Sequence, residues 1–231
     1  MNKNSSEGPV GALAKPPVHL LVCFAVKEEL RYFSPPFLGS VSLQIWMTGM
    51  GRRNAALNIR KAIQQLRPER VITAGFAGGL NPALLCGTVI YDQDVDAGFK
   101  LELEELGAVP AKFHCHRRVA ITAEEKAALW RETSADAVEM ESSVIRTICR
   151  EFQIPSATIR VISDDARQDL PLDFNALMTS DDRINYFKLF RAILSRPSRI
   201  PKLIEFQQQT VQAARKLGGL LEELLRAKRR C

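Results

Sequence analysis

Ala135-Asp136-Ala137-Val138-Glu139-Met140-Glu141-Ser142-Ser143 puts two carboxylates two residues apart, with Met140 between them. After it, Val144, Ile145, Ile148 and Cys149 recur at three- and four-residue spacing, the period of a helix with one apolar face. Before it, Ala137-Val138 is a short apolar piece. Glu139 and Glu141 therefore fall where a strand hands over to a helix. A carboxylate at that point is favoured by the helix macrodipole and is expected to stay ionised. An ionised carboxylate only accepts hydrogen bonds and can take two hydroxyls at once, which suits a ribose diol. Acids are also common in first helical turns without further purpose, so the stretch alone leaves both readings open.

Working outward toward the N-terminus, the same strand-then-helix rhythm repeats. Val18-His19-Leu20-Leu21-Val22-Cys23-Phe24-Ala25 reads as a buried first strand that runs into Val26-Lys27-Glu28-Glu29-Leu30, the first turn of a helix. Val41 to Met47 alternates as a strand. Thr48-Gly49-Met50-Gly51-Arg52-Arg53-Asn54 follows, opening a helix from about Ala55 to Leu66. Two glycines before a helix make a tight turn whose amides can face an anion or a sugar hydroxyl, although the Gly-Lys-Ser/Thr ending of a P-loop is missing. Val71-Ile72-Thr73-Ala74 reads as a short buried strand, and Gly75-Phe76-Ala77-Gly78-Gly79-Leu80 as a loop whose glycines need close backbone approach or positive φ. Gly87 to Tyr91 is a further strand, and Leu101 to Leu106 is short and acidic.

Approaching the central stretch again, His116 to Ile121 is expected to contain a strand, and Thr122-Ala123-Glu124-Glu125 to cap a helix reaching about Trp130. Beyond the centre, Ser156 to Ile162 reads as a strand ending at Ser163-Asp164-Asp165. Leu170 to Arg183 reads as irregular. Ile184 to Leu225 reads as mostly helical, with one apolar stripe through Phe187, Phe190, Ile193 and Leu194 and another through Leu217, Leu220, Leu221, Leu224 and Leu225. Strands alternating with helices predict one α/β domain with a central sheet over residues 18–231, preceded by a flexible segment over residues 1–17.

Composition narrows the classes. The chain has 231 residues, 46% of them hydrophobic, enough for a substantial core. No run approaches the ~18 apolar residues of a membrane span. Nothing before Pro17 resembles a signal peptide, which points to the cytoplasm. Five cysteines at unrelated spacings suit a reducing compartment rather than a disulfide framework. His114-Cys115-His116 has no second ligand pair, so no metal site is expected; in an extended segment its two histidines share one side. The net charge of +6 gathers late in the chain, where solubility, anionic lipid and nucleic acid are the readings of a basic tail. The absence of interleaved aromatics there argues against nucleic acid.

Glu29, Glu141 and Asp164 thus each follow an expected strand, and two Gly-rich turns share that context. With Ala25-Val26-Lys27-Glu28-Glu29, Thr48-Gly49-Met50-Gly51-Arg52, Thr73 to Gly79, Val138-Glu139-Met140-Glu141 and Arg160-Val161-Ile162-Ser163-Asp164 in that order, the sequence resembles the nucleoside phosphorylase and nucleosidase family that includes methylthioadenosine/S-adenosylhomocysteine nucleosidase. A narrower resemblance, through Gly78 to Leu84, Ala135 to Ser142 and Leu194 to Pro201, is to the hopanoid-associated branch and its substrate adenosylhopane.

The resemblance implies a three-layer α/β/α sandwich with a mixed central sheet, and cleavage of an N-glycosidic bond, whose cation-like sugar and departing base need charge stabilisation and a proton. It assigns Asp164 as the acid at N7 of adenine and Glu29 as the group that orients or activates water. Glu141 would hold the ribose hydroxyls beside Glu139, with Met140 against the sugar. Ser163 and Arg160 would support the acid's loop, while Phe76, Ala77 and Gly78 would line the pocket. An acid working near neutral pH must hold its proton, which calls for burial or an acidic neighbour such as Asp165.

No cofactor is implied; the co-substrate is water or inorganic phosphate, the latter making a purine nucleoside phosphorylase, and a non-catalytic nucleoside-binding module on the same fold is the alternative of another class. Gly51 and Arg52 are the candidate phosphate site, and Glu29 tilts the choice toward water. The segment that carries the base-stacking aromatic in these nucleosidases is short here, leaving Phe99 and Phe113 as candidates. A shorter wall would admit a large 5′ substituent, including a lipid-linked one. The resemblance further implies a homo-oligomer, and the basic C-terminal helices allow peripheral contact with the inner membrane face.

Overall fold

The computed structural model describes residues 18–36, 42–179, 185, 188, 191, 195 and 197–227. The segment expected to be flexible over residues 1–17, and the stripe expected through Phe187, Phe190, Ile193 and Leu194, lie outside the described residues.

The described residues form an eight-stranded mixed sheet. It consists of β1 (Leu20–Phe24), β2 (Leu43–Met47), β3 (Arg70–Gly79), β4 (Val89–Asp92), β5 (Val109–Ala111), β6 (Phe113–Cys115), β7 (Ala137–Glu139) and β8 (Ser156–Asp164). The main order is β2-β1-β3-β8-β4-β5; β7 joins β3, and β6 joins β7. β1, β2, β3 and β8 run parallel, whereas β4 meets β8, and β7 meets β3, antiparallel. Among the described residues, helices with defined bounds are α1 (Lys27–Leu30), α2 (Arg52–Leu66), α3 (Ala97–Glu105), α4 (Ala123–Thr133), α5 (Ser142–Glu151), α6 (Phe174–Leu177) and α7 (Ile200–Ala227).

Alternation along β1 builds the three layers. Leu20, Val22 and Phe24 face a core shared with Phe99 and Leu103 of α3 and Ala213, Leu217, Leu221 and Leu224 of α7. Leu21 and Cys23 face the other way, onto Ala55, Ile59 and Ala62 of α2 and Ile145, Ile148 and Cys149 of α5. A strand buried on both faces reads as an unbroken apolar run, which β1 does. The three-layer α/β/α sandwich with a mixed sheet is therefore the observed architecture.

Two expectations fail locally. The glycine run after Ala74 is not a loop: β3 continues through it to Gly79. Residues Leu20–Cys23 of β1 pair with its first half, and Gly78-Gly79 then pair with β7. Close approach, not positive φ, explains the glycines. A Cβ on Gly75 would stand 2.3 Å from Glu29 Oε1, and one on Gly79 would stand 3.3 Å from the carbonyl oxygen of Asp164. The strand expected within residues 116–121 is absent as well; the pairing strand is β6 just before it. There the side chain of Asn175 supplies both partners of the Val119 backbone, and Glu125 accepts from the Ile121 amide. These side-chain bonds take the place of a ladder.

Candidate active site

One cavity of about 290 Å³ opens at the ends of β3, β7 and β8 and the start of α1. Glu29, Phe76, Ala77, Gly78, Glu139, Met140, Glu141, Ser163 and Asp164 all line it. The three acids that stand far apart in the sequence thus meet around one space, at the strand ends of an open α/β sheet where ligands bind.

Glu29 is fixed by the backbone. Its Oε2 accepts from the amides of Ala25 at 2.8 Å and Val26 at 3.1 Å, and its Oε1 from Phe76 at 3.0 Å. Burial pushes its carboxyl above the ordinary range; the Arg160 charge and these three amides oppose that shift.

Glu139 ends β7, and its carboxylate is fully engaged in structure. Oε2 accepts from the amides of Glu141 and Ser142 and from Arg160 Nη2, while Oε1 accepts from Ser142 Oγ. It caps α5, satisfying amides at the helix start. Glu141 is placed by a different contact: its Oε1 accepts from the Gly51 amide at 2.7 Å. Burial first, then the neighbouring Glu139, pushes its carboxyl up to about 8. That corrects the expectation of an ionised group. The macrodipole is weaker than desolvation where the helix N-terminus is buried beside a second acid.

The same bond revises the candidate phosphate site. The Gly51 amide donates to Glu141, and Arg52 is exposed and is not among the residues that line the cavity. Arg160 also sits differently from expectation. It bonds Thr73, the Ile159 carbonyl and Glu139, beneath the cavity, so it steadies the carboxylates rather than the acid's loop. Phe99 is fully buried under the Arg70 guanidinium, and Phe113 packs beside Ile90, Ala111 and Ala137, so neither stacking candidate lines the cavity.

Asp164 ends β8 and is buried. Ser163 Oγ donates to its Oδ1 at 2.6 Å, so Ser163 holds the Asp164 carboxyl. The group nearest its other oxygen is a cation and not Asp165. Lys126 of α4, with no solvent exposure, donates to Oδ2 at 2.5 Å and to the carbonyls of Asp165 and Gln168 at 2.8 Å each. Asp165 instead accepts from the Arg167 amide. Sequence reasoning missed Lys126. The available signal was a lysine three residues before Leu129, on the helix face that turns inward.

It also missed the apolar wall. Val119, Ala120, Leu170, Phe174 and Phe206 line the cavity, and the rings of Phe174 and Phe206 lie 5.7 Å apart. Arg118 and Glu28 add charge to the lining, and Arg118 pairs with Glu125. Away from this wall, His114 and His116 share one side as expected of an extended segment, with Nε2 and Nδ1 3.3 Å apart.

A family model described as "Phosphorylase superfamily" matches residues 27–105 and 112–195. A 5'-methylthioadenosine/S-adenosylhomocysteine nucleosidase of Glaesserella parasuis serovar 5 is 27% identical over 210 residues, covering 74% of this chain and 90% of its own length. Among solved structures, futalosine hydrolase of Helicobacter pylori superposes with a TM-score of 0.65 at 16% identity, over 91% of this chain and 98% of that one. The S-adenosylhomocysteine nucleosidase of Streptococcus pyogenes in complex with 5-methylthiotubericidin gives 0.65 at 16% identity, over 93% and 98%. These structural likenesses establish the α/β/α fold.

Proposed function

The chain belongs to the phosphorylase superfamily and is an enzyme; on that premise we propose that it hydrolyses the N-glycosidic bond of an adenine nucleoside with an apolar 5′ substituent. The observation that carries this reading is the convergence of Glu29, Glu141 and Asp164 on one cavity. Asp164 gives a proton to N7 as the bond to the sugar breaks. Glu29 receives one from the attacking water. Glu141 bonds the ribose hydroxyls, and Met140 packs on the sugar. Curated relatives named as 5'-methylthioadenosine/S-adenosylhomocysteine nucleosidases support adenine as the base.

Water is favoured over phosphate as the nucleophile because the Gly51 amide is engaged by Glu141 and Arg52 is not among the residues that line the cavity. Purified protein is expected to release adenine from 5′-alkylthio-adenosines in phosphate-free buffer. Asp164→Asn should cut turnover far more than substrate binding. A strict phosphate requirement would make the enzyme a phosphorylase, and near-normal turnover in Asp164→Asn would remove the acid assignment.

The apolar wall supports a bulky 5′ group, of which the hopanoid side chain of adenosylhopane is the candidate. α7 supplies Phe206 and Thr210 to the cavity, and the same end of α7 exposes Ile200 and Ile204, 40% and 51% accessible, beside Lys202. Among the described residues no helix is long and apolar enough to cross a membrane. We assign this end of α7 to contact with anionic lipid, where such a substrate resides. Co-sedimentation with anionic vesicles, lost in Ile200→Asp/Ile204→Asp, tests it. Adenine release from small 5′-thio-adenosines and none from adenosylhopane would count against the lipid-linked substrate.

A further inference from the structure

We infer that Lys126 is a positioning residue for Asp164, holding the acid in place and lying where negative charge appears when the acid gives up its proton. The inference rests on the role proposed for Asp164. Three observations carry it. Lys126 is completely buried, although a lysine almost never is without partners. Its three N–H bonds are all used: one on Asp164 Oδ2, and two on the carbonyls of Asp165 and Gln168. All three acceptors belong to the end of β8 and the turn after it, so the ammonium ties that turn to α4. Thr122, which caps α4 by accepting from the Glu125 amide, fixes where the helix begins and so where Lys126 emerges.

The chemistry follows the electrons. The N9–C1′ bond breaks with its electron pair going to the base. A proton moves from Asp164 to N7, leaving Asp164 as a carboxylate. Water bonds to C1′ and gives its proton to Glu29. Lys126 keeps all three of its protons. A fixed ammonium one bond from Asp164 meets the charge that appears there, in a site already shielded from water, without reorganisation. The other ionisable groups around Asp164 are Asp165 next in the chain, Cys86, whose thiol donates to the Ser163 carbonyl, the cavity acids Glu28, Glu29, Glu139 and Glu141, and Arg118, which lines the cavity and pairs with Glu125. Lys126 is the cation in direct contact with the Asp164 carboxyl.

The test measures adenine release from a 5′-alkylthio-adenosine against pH in the full chain, using Lys126→Met, Lys126→Arg and Asp164→Asn. Lys126→Met is expected to lower kcat roughly 10- to 100-fold with KM within about threefold, and to move the alkaline limb of kcat to higher pH. Lys126→Arg should restore the limb toward its wild-type position. Wild-type kcat and limb in Lys126→Met would overturn the inference. So would equal losses in the Met and Arg variants with the limb unmoved, which is the mark of a purely structural role.

Because removing a buried lysine can unfold a chain, wild-type protein labelled at lysine Nζ gives a second reading. One exchange-protected ammonium signal, absent in Lys126→Arg, should shift on adding adenine; no responsive signal would overturn the inference. If Asp164→Asn keeps wild-type turnover, the proposed function itself fails. If it loses turnover while Lys126→Met does not, only the role of Lys126 fails.

Discussion

The amide of Gly51, at the start of α2, donates to Oε1 of Glu141, at the start of α5, at 2.7 Å. Two helix N-termini thus meet at one carboxyl group, and burial beside Glu139 pushes that group from 4.5 up to about 8. Between those values the folded chain holds a proton that the unfolded chain has released. Raising the pH across this window therefore favours unfolding. The contribution of Glu141 to stability is complete below about 4.5 and is lost as pH rises through about 8. Glu29 is shifted in the same direction. Thermal melts of the unliganded protein should show the midpoint falling from pH 5.5 to pH 8.5, and Glu141→Gln should flatten that slope. An unchanged slope in the variant would mean that Glu141 is not the titrating group.

Gly75 is the glycine of β3 where a methyl group would overlap a site side chain most severely, 2.3 Å from Glu29 Oε1. Glu29 has little room to yield, because three amides hold its two oxygens. Gly75→Ala should displace the carboxylate by a substantial fraction of an ångström. A misplacement of that order costs about 100-fold in rate. The check is kcat for adenine release alongside circular dichroism. A folded variant with wild-type kcat would show that Glu29 is not needed where it stands.

The strand-to-helix hand-over at Glu139 to Ser142 was legible because two local signals agree there: β7 ends at Glu139 and α5 begins at Ser142. The layers were legible for the same reason, in the apolar run of β1 and the spacing of Ile145, Ile148 and Cys149. The glycines of β3 misled because a residue with no Cβ signals either a turn or a close approach, and only the distant Glu29 and Val138 decide which. Lys126 was illegible for a related reason. Its partners are one carboxylate and two carbonyls from residues 38 to 42 positions onward. Phe174 and Phe206 reach the cavity from a four-residue helix and from the less buried end of α7, where tertiary placement and not periodicity sets their direction.

Arg160 is a second buried cation at the acids, only slightly exposed, with Glu139 Oε2 at 3.0 Å. It opposes the upward shifts of both Glu29 and Glu141. Removing one member of a buried ion pair strands the other, at a cost of about 3–5 kcal/mol. Arg160→Met should lower the unfolding free energy by that amount in urea titrations. Arg160→Met combined with Glu139→Gln should recover a large part of it, because the stranded charge is gone. Equal stability of the single variant and wild type would show that the pair is not coupled.

Phe206 and Phe174 close the apolar side of the cavity with rings 5.7 Å apart. If the 5′ substituent runs along this wall, its apolar carbons bury against them. Full burial of a side chain of this size is worth about 1.5–3 kcal/mol, or roughly 10- to 150-fold in kcat/KM. Phe206→Ala should therefore depress kcat/KM progressively more as the 5′-alkylthio chain lengthens from methyl to octyl. The effect belongs mainly in KM, since the wall holds ground state and transition state alike. A loss that stays the same at every chain length would place the substituent elsewhere in the cavity, with the Phe174–Phe206 pair then facing the base.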